Sequence, residues 1–358
     1  MKKGYIVLEN GLVFEGERFG AKKDVIGELV FTTGVEGYIE TLTDPCYYGQ
    51  IILQTFPLIG NYGWIDADTD GRAISAFAYI VREWCNTPSN FRCEGDIDAE
   101  LNARGIPGIC GVDTRELTGI IRENGAMNAC ICDDPKKVDM AALKAYKVKK
   151  AVANTVKGGE SAYVGCDNSK YNVTVINYGN TYKVEEKLSA MGCNVKTVSY
   201  DATAEAILAD KPDGIVLSGG PGNPTENKAC IETVKQLIGK APIFAIGLGH
   251  QLLALAMGAK TYKLKPGHRG GNQPVKSADH KGVYITAQNH GYAVKSATVT
   301  KLGGVISFVN GNDGTCEGID YPANNAFSVQ FDPNACAGPE DANEFTYGRF
   351  ISMMGGNN

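Results

Sequence analysis

Histidine is scarce in this 358-residue chain. There are four, His250, His268, His280 and His290, and none follows position 290. General bases that work near neutral pH are therefore few, and the histidines are too dispersed to suggest a metal cluster. Excess positive charge is lacking as well: the formal net charge is −5, which leaves no electrostatic footprint for nucleic acid. No apolar run approaches the length that spans a bilayer, and Met1-Lys-Lys-Gly-Tyr5 leads into a strand rather than a signal core, so no membrane partner and a cytoplasmic location are expected. A CxxC pair is missing. The eleven cysteines are scattered, the closest being Cys130-Ile-Cys132, and the expectation is reduced, mostly buried thiols. Gly219-Gly-Pro-Gly222 lacks the Lys-Ser/Thr of a phosphate-binding loop, so no nucleotide cofactor is expected on this chain.

A composition of 43% hydrophobic and 21% charged residues describes a globular chain long enough for two domains. Residues 1–150 alternate short strands with Gly-rich turns. Tyr5–Leu8 and Leu12–Phe14 flank Glu9-Asn-Gly11 as a hairpin, Leu29–Thr32 and Ile51–Gln54 read as strands, and Thr114–Arg122 reads as a helix. An α+β domain is expected there. The stretch 151–170, at the end of a Lys-, Ala-, Val- and Gly-rich run, lacks steady periodicity and reads as a linker. From 171 to 358 strands and helices alternate: Asn172–Ile176, then a helix Thr181–Met191 with Val184, Leu188 and Met191 on one face, then Cys193–Val198, Gly214–Leu217 and a helix Cys230–Ile238. That rhythm predicts an α/β, doubly wound, mostly parallel sheet whose ligands bind beyond the strand C-termini.

The most telling stretch is Ala241-Pro-Ile-Phe-Ala-Ile-Gly-Leu-Gly-His-Gln251. An apolar strand, Ile243–Ile246, runs through a Gly-Leu-Gly turn into a helix, roughly His250–Met257. This is the layout of a nucleophile elbow, which lifts one side chain clear of the backbone. The lifted position is Gly247, which has no side chain. The word resembles the Gly-Ile-Cys-Leu-Gly-His-Gln signature of class I glutamine amidotransferases, with Gly247 where the nucleophilic cysteine stands. Gly37-Tyr38, Leu42-Thr-Asp-Pro45, Ile59-Gly-Asn-Tyr-Gly63, Ser89-Asn-Phe91 and Asp113-Thr-Arg115 narrow the resemblance to the small, glutaminase subunits of carbamoyl phosphate synthetase. Leu217–Pro224, Gly267-His-Arg-Gly-Gly-Asn272 and Gln288-Asn-His-Gly-Tyr292 extend it over nearly the whole chain.

The resemblance implies a Cys-His-Glu triad, and every member is replaced. The family's His-Pro-Glu aligns with Asp332-Pro-Asn334, so Asp332 stands for the base and Asn334 for its orienter. What the resemblance leaves is a vestigial glutamine pocket: oxyanion-hole amides at Gly220, Gly222 and Leu248, and grip from Gln251, Asn289, Gly291 and Tyr292. Cys46 replaces a serine that touches glutamine in the family and is a poorer hydrogen-bonder. Asn177-Tyr-Gly-Asn-Thr181 and Gly219 are further departures.

The implied role is a glutaminase-dead small subunit. A large subunit would bind ATP and Mg, this chain would act as scaffold and regulator, and the complex would draw on free ammonia for pyrimidine or arginine synthesis. Two alternatives stand beside it. One is a repurposed module whose old pocket holds glutamine or another small amide. The other is an amidohydrolase with a relocated nucleophile such as Cys336.

Overall fold

Local signals and the folded strands agree first at the N-terminus. Glu9-Asn-Gly11 turns the chain, and Lys2–Leu8 pairs antiparallel with Val13–Gly20, with Val7 opposite Val13. The computed structural model describes residues 2–355, apart from 160, 166, 181–182, 279–281, 335–338, 340–341 and the side chain at 344. The chain separates into two units, Met1–Lys149 with Leu264–Gly270, and Lys150–Lys263 with Gly271–Asn358.

The first unit is built on a closed barrel. Its strands, in order around the barrel, are Lys2–Leu8, Val13–Gly20, Pro107–Cys110, Ala78–Ile80, Gln50–Gln54, Val25–Thr32 and Met127–Cys132. The last strand closes on the first, with Ile6 opposite Ile131. Alternate residues point inward, so Ile6, Leu29, Ile51, Leu53, Ile80 and Ile109 form one apolar cluster. The helix Thr114–Asn124 adds Leu117 and Ile121, three to four residues apart on one face. Its start is set by Asp113, whose Oδ1 accepts the N–H of Glu116 at 2.9 Å. The strand signals did not foretell a barrel, because closure joins residues more than a hundred positions apart.

The second unit carries a ten-stranded sheet in the order Ser161–Val164, Cys193–Ser199, Tyr171–Asn177, Gly214–Leu217, Ile243–Ile246, Ala326–Val329, Cys316–Tyr321, Val305–Asn310, Thr261–Ser277, Val283–Val294. The run from Cys193–Ser199 to Ala326–Val329 is parallel throughout. Ile243–Ile246 lies inside that run and is buried at every position, which is why it reads as a continuous apolar stretch rather than an alternating one. One face packs Val234, Leu237, Leu252 and Leu253; the other packs Val184, Leu188, Tyr347 and Phe350. This is the expected α/β, doubly wound architecture.

Three segments differ from expectation. The stretch read as a linker holds a helix, Ala151–Thr155, and a strand, Ser161–Val164, which pairs antiparallel with Cys193–Ser199. It is a solvent-facing edge strand of only four residues, too short to show a periodic pattern. The helix expected over Thr181–Met191 spans Val184–Ala190, because Lys183 at its N-cap takes a left-handed φ of 52°; Thr181 lies outside the described residues. The long strands Thr261–Ser277 and Val283–Val294 carried no usable alternation, their exposed and buried positions being mixed. Among the described residues nine cysteines are free thiols, six of them buried, and no helix is long and apolar enough to cross a membrane.

Candidate functional site

Gly247 joins the buried strand Ile243–Ile246 to the helix Leu248–Ala256 with φ 55° and ψ −111°. L-residues rarely adopt that backbone, and a nucleophile placed there would be held under strain of about 1–3 kcal/mol. The elbow is fastened on both sides: the Gly247 N–H donates to the Val329 carbonyl at 2.9 Å, and the Gln251 N–H donates to the Gly247 carbonyl at 3.3 Å. A Cβ at this position would meet only Gly219 Cα at 3.4 Å and the Gln330 carbonyl at 3.9 Å, both ordinary contacts. The fold therefore keeps the strained turn and the space for a side chain, and supplies no side chain.

Around this point sit the backbone donors. Leu248 opens the helix, so its N–H has no intrahelical acceptor. Among the described residues the amides of Leu248, Gly220 and Gly222 donate to no acceptor within the chain. An anion forming beside Gly247 would find such donors useful. Gly220 also has a packing reason to be glycine, since a Cβ would lie 2.2 Å from the Tyr178 carbonyl.

The positions aligned with base and orienter are turned to internal use. The Asp332 N–H donates to the Ala287 carbonyl at 2.9 Å, and Asp332 Oδ1 accepts the Asn334 N–H at 2.9 Å, closing a local turn. Asn334 is 3% exposed and donates through Nδ2 to the Tyr347 hydroxyl at 2.8 Å. Burial pushes the Tyr347 hydroxyl far above its usual range, so it stays protonated. Among the described residues no imidazole substitutes for the base. His250 is fully buried, with Nδ1 at 2.8 Å from Ser328 Oγ, and burial lowers its pKa to about 3. His290 has Nδ1 at 2.8 Å from the Tyr292 carbonyl and Nε2 at 3.1 Å from Gln288 Oε1. His268 belongs to the first unit. His280 and Cys336 lie outside the described residues.

The pocket residues fall into two groups. Gln251, on the elbow helix, gives both amide hydrogens to the chain, to the Tyr292 carbonyl at 2.8 Å and Gln330 Oε1 at 2.9 Å. It is a strut between helix and strands. Asn289, Gly291 and Tyr292 lie on the strand Val283–Val294, each half-buried. Cys46 is in the first unit, in the turn Pro45–Tyr47, where its N–H donates to Asp44 Oδ1 at 2.9 Å.

Sequence reasoning missed two groups. Gln330 is buried beside the elbow, and its Nε2 has no partner among the described residues. It lay within the aligned stretch Ser328–Asn334, two residues from Asp332 and directly after the strand Ala326–Val329, and that place was the available signal. Glu317 is fully buried and accepts from Gln288 Nε2 at 3.1 Å, Asn310 Nδ2 at 3.3 Å and Thr315 Oγ1 at 3.3 Å. His290 and Glu317 thus meet at one glutamine, their polar atoms within 4.8 Å of each other. The dispersed spacing concealed this, because the fold rather than sequence proximity brings the strands Val283–Val294 and Cys316–Tyr321 near each other.

Comparisons with known proteins cover both units. The family described as carbamoyl-phosphate synthase small chain, CPSase domain, matches residues 6–131, and glutamine amidotransferase class-I matches residues 174–348. The carbamoyl phosphate synthase small chain of Clostridium perfringens is 43% identical over 98% of this chain and 99% of its own length. That of Staphylococcus saprophyticus is 41% identical over 99% of this chain and 96% of its own. The pyrimidine-specific small chain of Bacillus subtilis is 43% identical over 98% of this chain and 96% of its own.

Proposed function

The chain belongs to the family of carbamoyl phosphate synthase small chains, and from that premise we propose that it is a small subunit without glutaminase activity, whose complex with a large chain uses ammonia. One observation carries this reading: the elbow keeps its φ 55°, ψ −111° geometry, yet Gly247 offers no thiol. Amide hydrolysis by this route needs a thiolate to attack the glutamine carbonyl and a base to take the thiol proton. At position 247 and at the positions aligned with the base and its orienter, neither group exists. Asp332 caps the Asn334 amide, and Asn334 binds Tyr347, so no acid–base pair faces position 247.

The chain's remaining contribution is structural: it binds the large chain and maintains the assembly. ATP and Mg belong with the large chain's chemistry. Pyrimidine synthesis is the favoured pathway, on the names of relatives from Bacillus subtilis and Halalkalibacterium halodurans. The vestigial pocket retains unspent amides at Gly220, Gly222 and Leu248, which supports residual binding of glutamine or a similar small amide without turnover.

The test pairs the purified chain with a large chain and measures carbamoyl phosphate from ammonium and from glutamine, together with glutamate release. Product from ammonium alone is expected. Removal of a whole triad costs on the order of a millionfold. Glutamate release that scales with the amount of this chain, in a preparation free of other glutaminases, overturns the reading.

A further inference from the structure

The barrel of the first unit has a cavity of about 630 Å³ that the glutaminase site does not involve. Its wall is made by Thr55, Pro57 and Arg82 and, around the start and one face of the helix Thr114–Asn124, by Asp113, Arg115, Thr118 and Arg122 among others. These positions share a topological place. Gln50–Gln54, Ala78–Ile80 and Pro107–Cys110 are consecutive parallel neighbours in the barrel. Thr55, Arg82 and Asp113 each follow the C-terminal end of one of them by one to three residues. Parallel strands leave their binding crevices at that end.

The chemistry of the wall is one-sided. Arg82, Arg115 and Arg122 all line the cavity, and Asp113 is the one acid there. Asp113 is already engaged, accepting the Glu116 N–H at 2.9 Å as the helix cap. Arg82 is braced from behind: its Nη1 donates to the Val112 carbonyl at 3.1 Å and the Gly111 carbonyl at 3.3 Å, which leaves its other donors for the cavity. Arg115 and Arg122 lie two turns apart on one face of the helix Thr114–Asn124. Neither makes a hydrogen bond or ion pair with any described residue. Arg115 sits in the helix's first turn, where a cation opposes the helix dipole. Three guanidinium groups line one cavity against a single carboxylate, Asp113, so the wall carries an excess of positive charge.

We propose that this cavity is a binding site for a small phosphate-bearing polyanion, held by Arg82, Arg115 and Arg122. The guanidinium fork matches phosphate oxygens in pairs, and the volume falls in the range of small-molecule sites. A dianion or larger would be needed to balance the wall.

Calorimetric titration of the full chain with pyrophosphate, inorganic phosphate and chloride, at constant ionic strength, tests this. Saturable binding is expected for pyrophosphate, weaker for phosphate and none for chloride. Arg115→Ala and Arg122→Ala should each weaken pyrophosphate binding by about tenfold or more, and the double variant should abolish it. Both side chains are exposed, so thermal midpoints should stay near that of the parent chain. Pyrophosphate binding that is indifferent to both substitutions overturns the proposal. Absence of saturable pyrophosphate binding overturns it as well, and weaker assembly of the same variants with a large chain would then assign the arginines to an acidic protein surface.

Discussion

Placing a nucleophile at position 247 tests the proposal that the chain has no glutaminase activity. The Gly247→Cys side chain has room, since its Cβ would sit 3.4 Å from Gly219 Cα and 3.9 Å from the Gln330 carbonyl. Its cost is conformational. Holding a non-glycine residue at φ 55° and ψ −111° costs about 1–3 kcal/mol. For a unit of this size each kcal/mol lowers the thermal midpoint by about 2–4 °C, so a fall of roughly 2–12 °C is expected. Activity should not return with the thiol alone. A thiol of ordinary pKa, about 8.5, is only about 3% ionised at pH 7, and among the described residues no imidazole is placed to deprotonate it. Asp332→His supplies a base but also removes the carboxylate that accepts the Asn334 N–H. Asn334→Glu supplies the orienter but must fit a 3%-exposed site against Tyr347, with overpacking of about 1–3 kcal/mol. Glutamate release should be negligible for every single variant, measurable only when all three changes are combined, and strongly non-additive. Efficient hydrolysis by Gly247→Cys alone would show an unrecognised base and refute this account. An unchanged midpoint for that variant would refute the strain argument.

Two further outcomes follow from the same unit. Burial lowers the His250 pKa to about 3 from an ordinary 6.5, so the unfolded chain binds the extra proton between those values. Stability should therefore fall as pH drops through that window, by up to about 1.4 kcal/mol per pH unit from this group. Urea midpoints measured from pH 7 to 4 should show the slope, and His250→Gln should flatten it; an unchanged slope in the variant would reject the assignment. At the neighbouring loop, Gly220→Ala would place Cβ 2.2 Å from the Tyr178 carbonyl and should destabilise the unit severely, whereas Gly219→Ala meets Asn180 Cβ at 3.4 Å and should be nearly neutral. Equal thermal midpoints for the two variants would contradict that geometry.

Much of this protein was determined by short-range sequence alone. The run Ile243–Ile246 followed by Gly-Leu-Gly has only one comfortable local form, a buried strand turning into a helix, and Gly247 at its centre carries no side chain whatever the fold does around it. Asp113 before Thr114 specifies a helix start in the same local way, by capping Glu116. The βαβ rhythm after Tyr171 follows from side-chain period and connection length, both readable within a few tens of residues. Tertiary structure alone decided the rest. Closure of the barrel between Ile6 and Ile131 and the pairing of Ser161–Val164 with Cys193–Ser199 depend on register between distant strands, which residue type does not encode locally. So does the fate of individual polar groups. Gln251 becomes a strut because Gln330 arrives beside it, Asn334 is held by Tyr347, and Glu317 meets Gln288 across the sheet. Arg82 shares a cavity with Arg115 and Arg122 because three parallel strands end side by side. A side chain's chemistry is local, but its partners are chosen by topology.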